Sequence, residues 1–235
     1  FGVAAWVIFC VVVIGKWGRQ LVGITSVIPP AILPTFSKVI SYSPIALCVF
    51  FCLIYPKLKG LTYRSFFSSI GIFPSRHILT ICKEGLVGIT FAPLITVSCL
   101  LAAFVWLKVT TFFFFFTAGG AHPEVLRTLG MNDPNQMKSF FLLAVVAAPL
   151  LEEQVFRGSC YSALRSKYNM LIAAIITGFL FAAIHPQGII GLGALWAIGS
   201  FLCFLREWRG SLWACIFAHA CHNGLVASLM YIMMS

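Results

Sequence analysis

Residues 140–164 read FFLLAVVAAPLLEEQVFRGSCYSAL. Twelve positions of apolar chain run into Glu152, Glu153 and Arg157, and the chain then turns apolar again. The length and hydrophobicity predict a membrane-embedded helix over 137–164. A charge at the middle of such a helix costs about 2.5–3.5 kcal/mol on insertion scales, so three left unpaired would cost about 8–10 kcal/mol. That is comparable with the entire stability of a domain. Ionisable groups in this setting are functional candidates with partners to be found elsewhere in the chain.

The surroundings are equally apolar. Of 235 residues, 60 % are hydrophobic and 9 % charged, and mean hydropathy is +0.99. A soluble chain carries about 25 % charged residues to wet its surface. This composition excludes intrinsic disorder and a disulfide-stapled secreted fold, and predicts an all-α, polytopic transmembrane helix bundle. The balance of 16 Lys and Arg against 6 Asp and Glu does not point to nucleic acid. The basic residues stand between apolar runs, the pattern of positive loops retained on the cytoplasmic side. The nine cysteines form no C-x-x-C and read as small buried hydrophobes.

Seven spans are expected, or eight if one is missing or broken: 1–14, 39–55, 85–107, 137–164, 168–185, 188–205 and 211–234. The stretch 20–38 holds Pro29, Pro30 and Pro34 and is too interrupted for a clean helix. Residues 56–83 read as an interfacial connector, and 119–135 as a polar loop. The chain divides into 1–136, N-terminal helices and connectors, and 137–235, the helices that carry the chemistry, within one integral membrane domain. With alternating loops, Lys57, Lys59, Arg64, Arg76, Lys83, Arg165, Lys167, Arg206 and Arg209 fall on one side. Lys16, Arg19, Lys38, Lys108, Arg127 and Lys138 fall on the other. The first set is the larger and is read as cytoplasmic, in a multi-pass protein of a bacterial-type cytoplasmic membrane.

Glu153 and Arg157 are four apart in the favourable acid-then-base order and form a structural ion pair on one helix face. Glu152 points about 100° away and has no local cation. A carboxylate in such a site suits the work of a general base. His77 and His122 fall in loops. His185 ends FAAIH (181–185) in the fifth span. His219 and Asn223 share a face of the seventh span in HACHN (219–223), whereas His222 lies about 300° round from His219. Polar residues on separate helices of a bundle turn inward and meet. A carboxylate and an imidazole can bind a water and remove its proton. A second imidazole and a carboxamide can donate to a developing oxyanion. Those are parts for amide hydrolysis by water; neither G-x-S-x-G nor H-E-x-x-H occurs.

EEQVFR (152–157), FAAIH (181–185) and HACHN (219–223) resemble, in order, the EExxxR, FxxxH and HxxxN motifs of the CPBP intramembrane proteases, the CAAX-protease and bacteriocin-processing group. The resemblance implies a bundle of about eight helices around a membrane-embedded, water-filled site. It implies that Glu152 and His185 activate water, that His219 and Asn223 hold the oxyanion, and that Glu153 and Arg157 orient the site. The implied substrate is a membrane-associated protein or peptide, such as a prenylated CAAX tail or a peptide precursor, with the lipid bilayer as the other partner and no nucleic acid. No cofactor is expected. The alternative is a zinc-dependent metalloprotease with Glu152, His185 and His219 as three ligands and an open position. A transporter or a non-catalytic scaffold are further alternatives. Catalysis needs a water-sized gap among these side chains, transport a continuous polar path, and a scaffold direct pairing throughout.

Overall fold

The computed structural model describes residues 52–72, 78–114, 138–139, 141–185 and 188–234. The expected span 1–14, most of 39–55, the stretch 20–38, the loop 119–135, Arg76, His77 and His122 lie outside the described residues. Those described are helical, with no strand among them. After a helical segment at 52–58 come α1 (Tyr63–Ser69) and α2 (Ile78–Phe114). The glutamate-bearing helix is continuous but changes register. It runs through π1 (Leu143–Ala147), α3 (Ala148–Glu153), π2 (Gln154–Tyr161) and α4 (Ser162–Arg165). Then follow α5 (Met170–Ala183), α6 (Gly188–Arg209) and α7 (Leu212–Met234).

Local chemistry sets several of these ends. The side chain of Asn169 accepts from the Ile172 N–H at 2.9 Å and starts α5; Thr62 does the same for α1. Gly210, at φ +64°, closes α6 in the left-handed conformation that suits glycine. The connector expected over 56–83 is shorter than its sequence suggests. Ile78 to Cys82 continue the apolar helix downward, and Lys83 and Glu84 ride on it. Glu84 is tolerated there because Arg209 grips both its oxygens, at 2.6 and 2.9 Å. Pro93 sits inside α2 without ending it.

Two helices are long and apolar enough to cross a bilayer, Ile78–Phe112 and Leu212–Leu229. Only 17 % of the apolar window of the first is buried, and Leu100, Leu101, Phe104 and Val105 are exposed. A soluble core helix would be covered, so this surface belongs in lipid and the chain is a membrane protein. The main core joins Phe156, Phe181, Leu202, Ala214 and Ala218 of four helices. Backbones come close where α5 meets α6: a Cβ on Gly178 would lie 2.3 Å from Ser200 Oγ and 2.7 Å from Ser200 N.

One end of the bundle gathers positive charge. α2, α5 and α7 begin there, while the glutamate-bearing helix and α6 finish there. Arg209–Glu84 and Arg165–Glu207 tie these ends together, and Arg206 donates to Ile70 O after α1. Lys57, Lys59, Arg64, Lys83, Arg165, Lys167, Arg206 and Arg209 are thus on one side, and Lys108 and Lys138 are toward the other. α1 also covers the start of α7. Phe66, Ile70 and Ile72 pack on Leu212 and Ile216, so α7 begins inside the molecule rather than at its surface.

Candidate active site

Depth is the first requirement for these side chains to meet. Counted from the basic loops in sequence, Glu152, His185 and His219 lie at about 20, 27 and 15 Å by the helical rise of about 1.5 Å per residue. The observed helix ends reconcile them. α5 starts at Met170, which brings His185 to about 22 Å, level with Glu152. The buried start of α7 moves His219 deeper. His185 itself stands two residues beyond the end of α5, in a bend, rather than within the expected span.

Glu152 and His185 face each other without touching. Glu152 Oε2 is 3.9 Å from His185 Nε2, too far for a hydrogen bond and close enough for one water to contact both. His185 Nδ1 lies 2.6 Å from Phe181 O. A carbonyl only accepts, so Nδ1 carries the proton and the neutral ring turns its Nε2 lone pair toward Glu152. The gap is therefore flanked by two acceptors, matching the two protons of a water molecule.

Glu153 and Arg157 are fully buried and joined at 2.8 Å. The same oxygen, Glu153 Oε1, accepts from His219 Nδ1 at 2.8 Å. Arg157 also donates to Gly199 O at 3.1 Å and lies 4.6 Å from the Phe181 ring centroid. Arg157 thereby links the glutamate-bearing helix to α6 and α5, while Glu153 holds His219 of α7. With Nδ1 protonated, His219 Nε2 accepts in the neutral ring and donates only in the doubly protonated one.

Asn223, one turn beyond His219, gives one amide proton to Ala144 O at 2.8 Å. The second remains to act on a ligand. His222 turns toward α2, where its Nδ1 is 2.9 Å from Thr96 Oγ1; it does not join the other two histidines' contacts. Phe181 is the residue that sequence reading undervalued. Its ring is 4.4 Å from His185 and 5.7 Å from His219, and with Arg157 above it the ring spaces the imidazoles. The first letter of FAAIH was the signal.

Of the six site residues read from the sequence, five fall into two contacts, and Asn223 bonds to Ala144 O rather than to any of them. Glu152 and His185 leave a gap; Glu153, Arg157 and His219 pair directly. Among the described residues no three His, Cys, Asp or Glu side chains are gathered as a metal ion would need. An apolar groove of about 430 Å³ between α2 and α6, lined by Leu101, Trp106, Trp196 and Ser200, contains none of the six.

Part of the chain is similar to known proteins. Residues 134–225 match the family described as Rce1-like, the type II CAAX prenyl endopeptidase Rce1-like group. The matched stretch contains all three polar motifs, so the likeness to this group extends over them. "Putative membrane peptidase YdiL" of Bacillus subtilis (strain 168) is 31 % identical over 85 residues, which cover 36 % of this chain and 34 % of that protein. The aligned region thus spans about a third of the relative's length. No solved structure matches the chain.

Proposed function

We propose that the chain is a multi-pass intramembrane endopeptidase that cleaves a membrane-associated peptide by direct attack of water. The observation that carries this reading is the 3.9 Å separation between Glu152 Oε2 and His185 Nε2. A water placed there donates to both acceptors and turns its lone pairs to the substrate. As its oxygen bonds to the scissile carbon, Glu152 takes its proton. The carbonyl oxygen becomes an oxyanion, held by His219 Nε2–H of the doubly protonated ring and by the second amide proton of Asn223. Glu153 is the buried counter-charge beside that ring. When the C–N bond breaks, Glu152 returns the proton to the leaving amine. The resemblance to CAAX-type enzymes favours a prenylated peptide, and the basic end of the bundle is assigned to the cytoplasm.

The direct test is incubation of the purified protein in micelles with fluorescence-quenched peptides, farnesylated and unmodified, beside a Glu152→Ala control. Cleavage by the wild type alone supports the reading; equal cleavage by both assigns the activity to a contaminant.

Asn223→Ala is expected to lower turnover by about 10²–10³-fold, the usual loss of one oxyanion donor, with KM nearly unchanged because that bond strengthens only as charge develops. A rise in KM at constant kcat would instead make Asn223 a substrate-binding group.

Exhaustive chelation is expected to leave activity intact if Glu152 and His185 act on water without a metal. Metal analysis of the active protein decides the point. Stoichiometric zinc that tracks with activity and is lost in His219→Ala would establish the metalloprotease alternative.

A further inference from the structure

Asn223 is held by a carbonyl that an ordinary helix would have used itself. In π1 the backbone N–H of Ala148 bonds to Leu143 O, five residues back. In that register the partner of Ala144 O is residue 149. Residue 149 is proline, which has no N–H to give. Ala148, the α-helical partner, is already committed to Leu143. Ala144 O is thereby left without a backbone donor, and Asn223 Nδ2 takes it at 2.8 Å.

Pro149 also explains why π1 exists. In an α-helix its ring would press on the carbonyl of Val145, four residues earlier. Widening the turn to a five-residue repeat relieves that contact, and such π turns are frequent at functional sites. Pro149 is fully buried and three residues before Glu152. One residue therefore sets the register of the helix that carries the base and creates the anchor for the carboxamide on α7.

We infer that Pro149 is a positioning residue, which by withholding an N–H from Ala144 O anchors one amide proton of Asn223 and aims the other at the oxyanion site. This deepens the proposed function and rests on it for its catalytic part. The anchor itself stands on geometry alone. Pro149→Ala supplies the missing donor: its N–H can reach Ala144 O in the π register, and a return to α register lets Ala148 do so. Asn223 then loses its partner in either case.

The experiment uses the full chain in micelles, labelled with [15N]asparagine. There are four asparagines, Asn132, Asn135, Asn169 and Asn223, and Asn223→Asp identifies the relevant side-chain pair by its disappearance. In the wild type one Asn223 amide proton should be protected from exchange with water and the other not. In Pro149→Ala that protection should fall at least about tenfold, and kcat on the farnesylated reporter peptide should fall by about 10–10²-fold at unchanged KM, a partial loss of the donor's effect. Unaltered protection in Pro149→Ala overturns the inference, as does loosening without any change in kcat. If Pro149→Ala does not fold, the wild-type spectrum still decides the anchor: two rapidly exchanging Asn223 protons overturn it. If Asn223→Ala leaves turnover intact while protection behaves as described, the oxyanion role fails and the anchor stands, so the two failures are distinguishable.

Discussion

Glu152→Gln should abolish most peptide hydrolysis, with turnover falling by about 10²–10⁴-fold, while folded protein is recovered in wild-type yield. The rate loss is the usual contribution of a positioned general base. The unchanged yield follows from the surroundings of the side chain. Among the described residues Glu152 takes part in no direct hydrogen bond, and His185 stands 3.9 Å from it. Replacing the carboxylate by an amide of the same size strands no partner and opens no cavity. The fall should appear in kcat and in kcat/KM alike, the mark of a group that acts on the transition state. Turnover of the reporter peptide and thermal unfolding in the same detergent check both halves. A matching drop in unfolding midpoint would reassign Glu152 as a structural residue.

Arg157→Ala should have its largest effect on folding. Glu153 would keep His219 but lose its cation in a fully buried site, where its second oxygen has no partner among the described residues. Breaking a buried pair by removing one member costs about 3–5 kcal/mol, much of a typical domain's stability. The substitution also removes the link to Gly199 O and the cation over Phe181. Removing both charges in Glu153→Gln with Arg157→Met should restore much of the folded yield, because no uncompensated ion remains. Turnover should stay low in the double variant, since His219 loses its anionic neighbour. Yields of monodisperse protein measure the first effect and the reporter peptide the second. A folded and inactive Arg157→Ala would place Arg157 in the chemistry instead.

The contrast between these two glutamates shows what sequence can carry. Helical spacing alone separates them, because four residues join Glu153 to Arg157 and one residue turns Glu152 about 100° aside. The late helices were legible for a related reason: apolar runs bounded by Asn169, Arg209 and Gly210 have few places to start and stop. Depth was not legible. Whether His185 reaches Glu152 depends on where α5 begins and on a bend past its end, and His219 depends on α1 covering the start of α7. The π turns were also hidden, since periodicity reads a widened turn as ordinary helix; Pro149 in mid-run was the trace they left. The anchoring of Asn223 on Ala144 O could not be foreseen without that register. Spacing set His222 apart from His219, but its partner Thr96 on α2 is a long-range contact that no spacing encodes.

The most direct measurement is an experimental structure of the protein bound to a phosphonamidate peptide, whose tetrahedral phosphorus carries two oxygens in the places of attacking water and oxyanion. The account predicts one oxygen between Glu152 and His185 Nε2 and the other within about 2.7–3.2 Å of His219 Nε2 and Asn223 Nδ2. An inhibitor seated away from Glu152, or one whose oxygens contact none of these four side chains, would contradict it.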